Sequence, residues 1–301
     1  MGRKLLTWPM IRIQLNIELN YEIDQFGADF VFNIHAAHTA SQQISSENLF
    51  LSQAIDPQIH TDPVNGNRYM RLRAWPGPLR VQYSATVDLT HHFSNPAQVP
   101  EVPVRNLPPE VMGYIYPSRY CQSDRLLKLA NSTFGSQWQG YSRVEAIREW
   151  VQRHVTFTSN SSNTNTSAVD TLIERVGICR DFAHLMIALC RALNIPARFT
   201  TGTDYGADPI LGPPDFHAYV EAYLGDRWYI FDPSGTAMPM GLVRFGTGRD
   251  AADVAFATIF GGVQSHAPVI HAWAVEDASQ GIALPYHCRD AMSTDGGHQL
   301  L

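Results

Sequence analysis

Residues 174–199 read ERVGICRDFAHLMIALCRALNIPARF, and this stretch carries the strongest structural signal in the chain. Its centre is an apolar run typical of a buried helix, formed by Phe182, Leu185, Met186, Ala188, Leu189 and Leu193. Cys179 lies just before that run, directly after Gly177 and Ile178. We therefore predict a buried helix that begins at Cys179 and carries the thiol at its N-terminal end.

The composition indicates a globular protein. The 301 residues suffice for one large domain or two of ordinary size, with 45% apolar and 17% charged residues. A net charge of −6 argues against a nucleic-acid partner. Residues 1–19 alternate with polar side chains rather than forming an apolar signal-peptide core, and no run of about 18 apolar residues occurs. We expect a cytoplasmic protein with no membrane partner.

Four cysteines, Cys121, Cys179, Cys190 and Cys288, are too few for a disulfide scaffold, and no C-x-x-C pair indicates zinc. We expect no metal and no cofactor. The simplest role for Cys179 is that of a small buried hydrophobe. Its predicted position at a helix N-terminus nevertheless favours a thiolate, and its backbone N–H could hold an oxyanion. Cys190 lies about 16 Å further along the helix, so we expect it to fill the core.

The first third of the chain is β-rich. Odd-numbered apolar residues alternate with polar ones over 11–21, which predicts a half-buried strand, and 69–75 and 79–83 are also strand-like. Six prolines over 96–117 indicate an extended surface linker. We therefore predict a β-rich N-terminal domain over 1–105, followed by a catalytic domain with a C-terminal tail over 106–301.

Helical signals follow the proline-rich segment. Ser142 and Glu145 have the spacing of a capping box, and a helix over 167–175 is expected to end at Gly177. Residues 158–167, TSNSSNTNTS, form a polar loop that is either a flexible connection or a wall facing substrate.

Two histidines could serve as the base for a Cys179 thiolate. His184 lies about 140° around the predicted helix from Cys179 and is more simply a helix histidine. His217 opens the stretch HAYVEAYLGDRWYIFDPSG, whose alternation predicts a strand. One face of that strand carries Ala218, Val220, Ala222 and Leu224, and the other carries His217, Tyr219, Glu221 and Tyr223. We expect the second group to line a cleft.

The strand ends in a hairpin that brings an acid near the base. Residues 225–226 are Gly-Asp, a two-residue turn signal, so Leu224 should pair with Arg227. That register places Asp232 on the same face as His217 and diagonally next to it. A three-residue turn would put Asp232 on the opposite face, and an aspartate before proline is by itself a common turn residue.

Taken together, Cys179, His217 and Asp232 predict a catalytic triad. His217 would take the thiol proton and later protonate the leaving group, while Asp232 would orient the imidazole and stabilise its cation. A second oxyanion donor could come from Trp138, Tyr141 or the asparagines of the 158–167 loop.

This order of motifs resembles the transglutaminase-like superfamily, in particular its bacterial branch of candidate cysteine proteases with a β-rich N-terminal domain. The resemblance rests on Gly-Ile-Cys at 177–179, His-Ala-Tyr at 217–219 and Asp-Pro at 232–233. It is supported by NIPARF at 194–199 and GRDAADV at 248–254. It implies an α+β fold with a papain-like core, in which the helix carrying the cysteine packs on an antiparallel sheet, and it implies cysteine-dependent acyl transfer.

Two positions depart from the family pattern. Arg180 stands where glutamine is common, and Tyr219 stands where tryptophan is usual. Both flank the reacting groups, so they bear on the choice of substrate more than on the chemistry.

Three outcomes are compatible with such a triad. Hydrolysis of a peptide or amide bond through a thioester leads, with a peptide or protein as substrate. Transglutaminase-type crosslinking to an amine and a non-catalytic binding module are the alternatives. The presence of all three residues disfavours the binding module, and the absence of a calcium-loop pattern disfavours calcium-dependent crosslinking. The oligomeric state is left open.

Overall fold

The N-terminal strands form two antiparallel sheets that share one core. The structure is a computed structural model that describes residues 9–203, 205–208, 210 and 214–294. These strands are β1 (Met10–Ile23), β2 (Ala28–Phe32), β3 (Gln42–Leu51), β4 (Gln58–Thr61), β5 (Arg68–Ala74) and β6 (Gly77–Leu89). The next strand, β7 (His92–Ser94), pairs separately with Ala291–Ser293. β1 alternates between buried and solvent-facing residues, as expected, and pairs with β6 along its whole length. β6 pairs with β3, and β5 lies between β2 and β4.

The second half of the chain places helices on one face of a further antiparallel sheet. Its helices are α1 (Ser123–Phe134), α2 (Tyr141–His154), α3 (Ala168–Glu174) and α4 (Cys179–Ala192). Its strands are β8 (Thr156–Phe157), β9 (Val176–Gly177), β10 (Ala197–Thr203), β11 (Phe216–Leu224), β12 (Arg227–Phe231) and β13 (Arg244–Gly248). The main sheet has the order β12-β11-β10-β13, and α4 is buried between it and the other helices. The α+β fold class expected from the sequence is confirmed.

The chain then returns to the N-terminal sheets. The last strands are β14 (Ala257–Phe260), β15 (Val263–Ser265), β16 (Val269–Val275), β17 (Ile282–Ala283) and β18 (Ala291–Ser293). β14 pairs with β2, while β15, β16 and β17 pair in turn with the free edge of β1. The segment that we assigned to the catalytic domain as its tail thus contributes four strands to the N-terminal sheets. A division into two domains near residue 105 stays a prediction.

The proline-rich segment is only partly extended. It contains short 3₁₀ helices at Pro96–Gln98, Val104–Asn106 and Pro109–Tyr114. Leu107 and Val111 are buried against Tyr223 and Trp228 on the hairpin of β11 and β12. The segment therefore packs against the main sheet instead of lying loosely on the surface. None of the helices in the described ranges is long and apolar enough to cross a bilayer.

Two predicted helix ends were wrong. α2 begins at Tyr141 after Gly140, so Ser142 lies inside the helix and forms no capping box. α3 ends with Arg175 in the left-handed conformation, at φ 58°, rather than at Gly177. Gly177 pairs with β8 instead, and a Cβ there would lie 2.8 Å from the Cβ of Asp181. The glycine is thus required by close packing against the first turn of α4.

Two carboxamide side chains of the N-terminal region bind the edge strand β13. The Nε2 of Gln42 donates to the carbonyl of Arg244 at 2.9 Å, and its Oε1 accepts from the N–H of Arg244 at 2.9 Å. The Nδ2 of Asn67 donates to the carbonyl of Thr247 at 2.8 Å, and its Oδ1 accepts from the N–H of Thr247 at 2.9 Å. Gln42 also donates to the carbonyl of Ala37. Because these groups are buried, removing either carboxamide would leave its backbone partners on β13 without a hydrogen bond and without access to water.

We expect Gln42→Ala to lower the free energy of unfolding by about 1–3 kcal/mol, because the N–H of Arg244 would be left buried and unsatisfied. The adjacent Gln43 is exposed, and Gln43→Ala should change stability by less than about 0.5 kcal/mol. Urea denaturation of the two variants makes the comparison. Equal stabilities would show that the carboxamide contacts to β13 contribute little.

Candidate active site

Cys179 is the first residue of α4, as predicted, and its side chain is partly exposed. The helix start is fixed by Asp181, which is fully buried and accepts the N–H of Ile178 at 2.9 Å. Ser162 of the polar loop donates to the same carboxylate at 3.0 Å. The rest of α4 is buried in the core, so the thiol is mounted on a rigid support.

The hairpin has the predicted register. Leu224 pairs with Arg227 across the two-residue turn, and the ladder continues to Val220 and Phe231. Asp232 follows directly and lies beside His217, with 3.3 Å between His217 Nε2 and Asp232 Oδ1. Both side chains are buried. The contact predicted from the turn length is thus present.

Cys179 and His217 influence one another directly. The thiol lies 3.9 Å from the carbonyl oxygen of Phe216, the residue before His217. Burial alone would lower the pKa of His217, but the Asp232 carboxylate and Cys179 outweigh it and raise that pKa to about 10. The imidazole therefore carries a proton across the neutral range.

Asp232 is held by three donors besides His217. Ser234 Oγ donates to Oδ1 at 2.6 Å and the N–H of Ser234 does so at 3.0 Å, while the N–H of Ala237 donates to Oδ2 at 3.0 Å. Burial opposes the charged form, but His217 and these donors together lower the pKa of Asp232. Ser234 Oγ also lies 3.5 Å from His217 Nε2 and 2.9 Å from the Thr236 hydroxyl.

Ser234 was not among the residues predicted for the site. The available signal was the motif Asp-Pro-Ser-Gly at 232–235, since a serine two residues after an aspartate can close a local turn onto its carboxylate. The structure shows that this local turn also touches the histidine. Ser234 thus joins the group around Asp232.

The three other residues on the His217 face do not line a cleft. Tyr219, Glu221 and Tyr223 are buried, because the N-terminal sheets and the 96–117 segment cover that face of the sheet. The hydroxyl of Tyr219 donates to the carbonyl of Thr203 at 2.9 Å. The expectation of a cleft there was wrong, since the alternating pattern could not show which partner covers the second face.

Arg180 points into the polar loop. Its Nη2 donates to Ser162 Oγ at 2.7 Å and to the carbonyl of Asn163 at 2.6 Å, and it lies 3.2 Å from Asp181 Oδ1. Its guanidinium also sits over the ring of Tyr120, 5.5 Å from the centroid. Arg180 therefore fastens the 158–167 loop beside the nucleophile, so this loop is a structured neighbour of Cys179.

The remaining candidate residues fall in the core or on the surface. His184 is fully buried in α4, where Nε2 accepts the N–H of Ala251 at 3.2 Å, as expected for a helix histidine. Cys190 is buried core, also as expected. Tyr141 packs on Phe231 with ring centroids 4.8 Å apart, whereas Trp138 is exposed.

A cavity of about 730 Å³ opens on the Asp232 side of the site. It is bounded by one face of α2, the turn after Asp232 and the segment around Cys288. Neither Cys179 nor His217 lines it. The cavity therefore borders Asp232 but not the thiol or the imidazole.

Two family models match the chain. A transglutaminase-like superfamily core matches residues 127–233, and a bacterial transglutaminase N-terminal domain matches residues 11–110. A crystal structure of a candidate cysteine protease from Cytophaga hutchinsonii is 38% identical and has a TM-score of 0.88. The similarity covers 95% of this chain and 98% of that one. Fold and site thus define a cysteine-based enzyme, and the chain belongs to the transglutaminase-like superfamily.

Curated mycobacterial relatives are more distant. An uncharacterized protein of Mycobacterium leprae is 25% identical over 146 residues, which span 47% of this chain and 52% of that protein. An uncharacterized protein of Mycobacterium tuberculosis is 31% identical over 125 residues, 37% of this chain and 40% of that protein. The match therefore spans about half or less of the length of these relatives.

We expect iodoacetamide at pH 6.5 to modify Cys179 ahead of the other cysteines, as read by peptide mapping. Burial raises the pKa of the Cys121 thiol to about 12, and it also raises those of Cys190 and Cys288. The contribution of His217 to the Cys179 rate should be constant from pH 6.5 to 9, because His217 remains protonated up to its pKa of about 10. His217→Ala should lower the rate at pH 6.5 about tenfold or more, since an unassisted thiol is mostly protonated there. Faster labelling of another cysteine would refute the assignment.

Ser234→Ala should raise the pKa of Asp232, because the buried carboxylate loses its shortest hydrogen bond. A ¹³C NMR titration of labelled aspartate carboxyls measures this pKa, with Asp232→Asn as the assignment standard. Ser234→Thr retains the hydroxyl and should keep the wild-type value. A remote change, Ser132→Ala on α1, is the negative control. An unchanged titration in Ser234→Ala would show that this hydroxyl does not support the acid.

Proposed function

We propose that the protein hydrolyses a peptide or amide bond through a thioester on Cys179, with His217 and Asp232 completing a triad. The observation that carries the proposal is the buried His217–Asp232 contact of 3.3 Å, whose histidine pKa is raised by Asp232 and by Cys179 together. Such a pair at the N-terminus of a helix is the arrangement that activates a thiol nucleophile.

The reaction follows from these positions. The thiolate of Cys179 adds to the scissile carbonyl, and the oxyanion forms near the first turn of α4, where the N–H of Cys179 lies outside the helical hydrogen-bond ladder. His217 then protonates the departing amine, leaving a thioester. A water molecule, deprotonated by His217, releases the acid and restores the thiol. Asp232 keeps the imidazole oriented and stabilises its cation throughout.

Hydrolysis is favoured over amine transfer by two observations. The structural neighbour that shares 38% identity over nearly the whole chain is described as a candidate cysteine protease. In addition, the residue directly after Cys179 is a cation, Arg180, whereas an acceptor site for a lysine amine would need a carboxylate or an aromatic wall. Transglutaminase-type crosslinking is the competing reaction, because it proceeds through the same thioester.

We expect acid release to exceed amine incorporation when glutamine-containing peptides are supplied with excess dansylcadaverine and no calcium. Mass spectrometry follows both products on the same substrate. Cys179→Ala should abolish both, and Asp232→Asn should lower turnover strongly while the fold is retained; the loss reaches about 10⁴-fold in a serine triad.

The other results separate the alternatives. Predominant incorporation of the amine, lost in Cys179→Ala, would identify a transferase. Absence of both products, together with an unreactive Cys179, would favour a binding module that retains the triad residues. Near-normal turnover of Asp232→Asn would show that Asp232 serves only as a turn residue.

A further inference from the structure

Four adjacent strands of the N-terminal sheet present a regular outward face. β16, β1, β6 and β3 lie side by side in this order, and their inward side chains form the shared core. The outward side chains fall into three rows across the strands, which we call the polar face. These rows are Trp273, Gln14, Thr86 and Ser46; His271, Asn16, Ser84 and Asn48; and Val269, Glu18, Gln82 and Phe50.

The polar face is grooved. Two depressions of about 460 and 320 Å³ lie on it, and a third of about 370 Å³ adjoins it at Phe50. The first two share Asn16, Ser84 and Asn48, and the first and third share Phe50, so they run together. They follow one another along β1 from Gln14 to Glu22, a distance of about 26 Å at the usual rise of a strand. The groove is therefore long enough for an extended oligomeric ligand.

The polar face is nearly neutral at its centre. Apart from His271, the titratable group among the twelve residues is Glu18, which already accepts hydrogen bonds from Asn20 at 2.9 Å and Gln82 at 2.7 Å. The arginines stand at the two ends, where Arg12 pairs with Asp88 and Arg80 approaches Glu18. A nucleic acid or an anionic membrane requires a cluster of cations, which this face does not present.

Hydrogen-bonding groups at the centre are free to meet a ligand. Within the part of the chain that the structure describes, the side chains of Asn16, Asn48 and Ser84 have no hydrogen-bond partner. A carboxamide offers two donors and an acceptor, and a hydroxyl offers both functions. These groups therefore match a ligand rich in hydroxyls.

Two aromatic rings stand at opposite corners of the face. Trp273 is 42% exposed and Phe50 is 48% exposed. The indole N–H of Trp273 donates to Gln14 Oε1 at 2.9 Å, which holds the ring in place. Exposed flat rings are costly in water and offer an apolar surface to a ligand that has one of its own.

We propose that the polar face binds a neutral oligosaccharide. A pyranose ring combines hydroxyls around its edge, suited to Asn16, Asn48 and Ser84, with an apolar C–H face suited to Trp273. A protein partner is less well matched, because interface cores are depleted in serine and enriched in large apolar side chains, whereas the only aliphatic residue of the face is Val269. The face turns away from the core that contains Tyr219, so this binding site is separate from the triad.

Isothermal titration calorimetry of the intact chain with cellohexaose, xylohexaose, mannohexaose, maltohexaose and chitohexaose tests the proposal. We expect saturable binding of at least one hexasaccharide. Trp273→Ala, and separately the double change Asn16→Ala with Asn48→Ala, should weaken it at least tenfold. Trp75 is exposed but lies outside the polar face, so Trp75→Ala should bind like the wild type.

Two further measurements secure the result. Cys179→Ala should bind the sugar normally, and Trp273→Ala should keep the wild-type rate of Cys179 alkylation, which shows that the variant is folded. Failure of every hexasaccharide to bind at millimolar concentration would overturn the proposal. It would also be overturned by binding that is insensitive to Trp273→Ala, or by concentration-dependent dimerisation that Trp273→Ala abolishes.

Discussion

A buried carboxylate, Glu221, links neighbouring strands of the main sheet (β12-β11-β10-β13), which we call the catalytic sheet. It is fully buried on β11 and accepts Arg198 Nε of β10 at 2.6 Å, while Arg244 of β13 binds its other oxygen. Thr294 donates to that same oxygen at 2.9 Å, and the guanidinium of Arg198 stacks over Trp228 at 4.2 Å. A buried charge is not hydrated and depends on its ion-pair partners. Removing one partner of a buried pair typically lowers the free energy of unfolding by about 3–5 kcal/mol. This one side chain therefore links three strands in addition to their backbone ladders.

That constraint positions the reacting groups. His217 lies at the start of the strand that carries Glu221, and Asp232 lies just beyond the strand paired with it, so a fixed ladder fixes their separation. Cys179 comes to them from the other side of the sheet, on a helix whose packing is apolar. The site thus combines one element held by buried charge with another held by the hydrophobic effect. Each can be precise because neither depends on a mobile loop for its position.

The N-terminal sheets contribute more than support. They cover the face of the catalytic sheet that bears Tyr219, and they bind its edge strand through the side chains of Gln42 and Asn67. An uncovered edge would be a site for pairing with other chains, so this coverage also protects the sheet. The polar face of the same sheets is exposed to solvent. The N-terminal sheets therefore have an apolar surface that covers the catalytic sheet and a polar surface that faces water.

Local pattern determined much of this protein. The alternation of β1, the helix that begins at Cys179 and the two-residue turn after Leu224 all follow from the period of a strand, the period of a helix and the conformation of Gly-Asp. From that turn the contact between His217 and Asp232 could be derived, because the register of a hairpin follows from its loop. These features depend on residues close together in sequence.

Tertiary structure decided the rest. Tyr219, Glu221 and Tyr223 were expected in a cleft but are covered by the N-terminal sheets and the proline-rich segment, and the return of the last strands to β1 has no local signature. Arg180 and Ser234 likewise acquire their partners, Ser162 and His217, only after distant segments meet. An alternating pattern shows that the two faces of a strand differ, but not what packs against each face. That depends on contacts between elements far apart in sequence, such as Gln42 and Arg244, which are 202 residues apart.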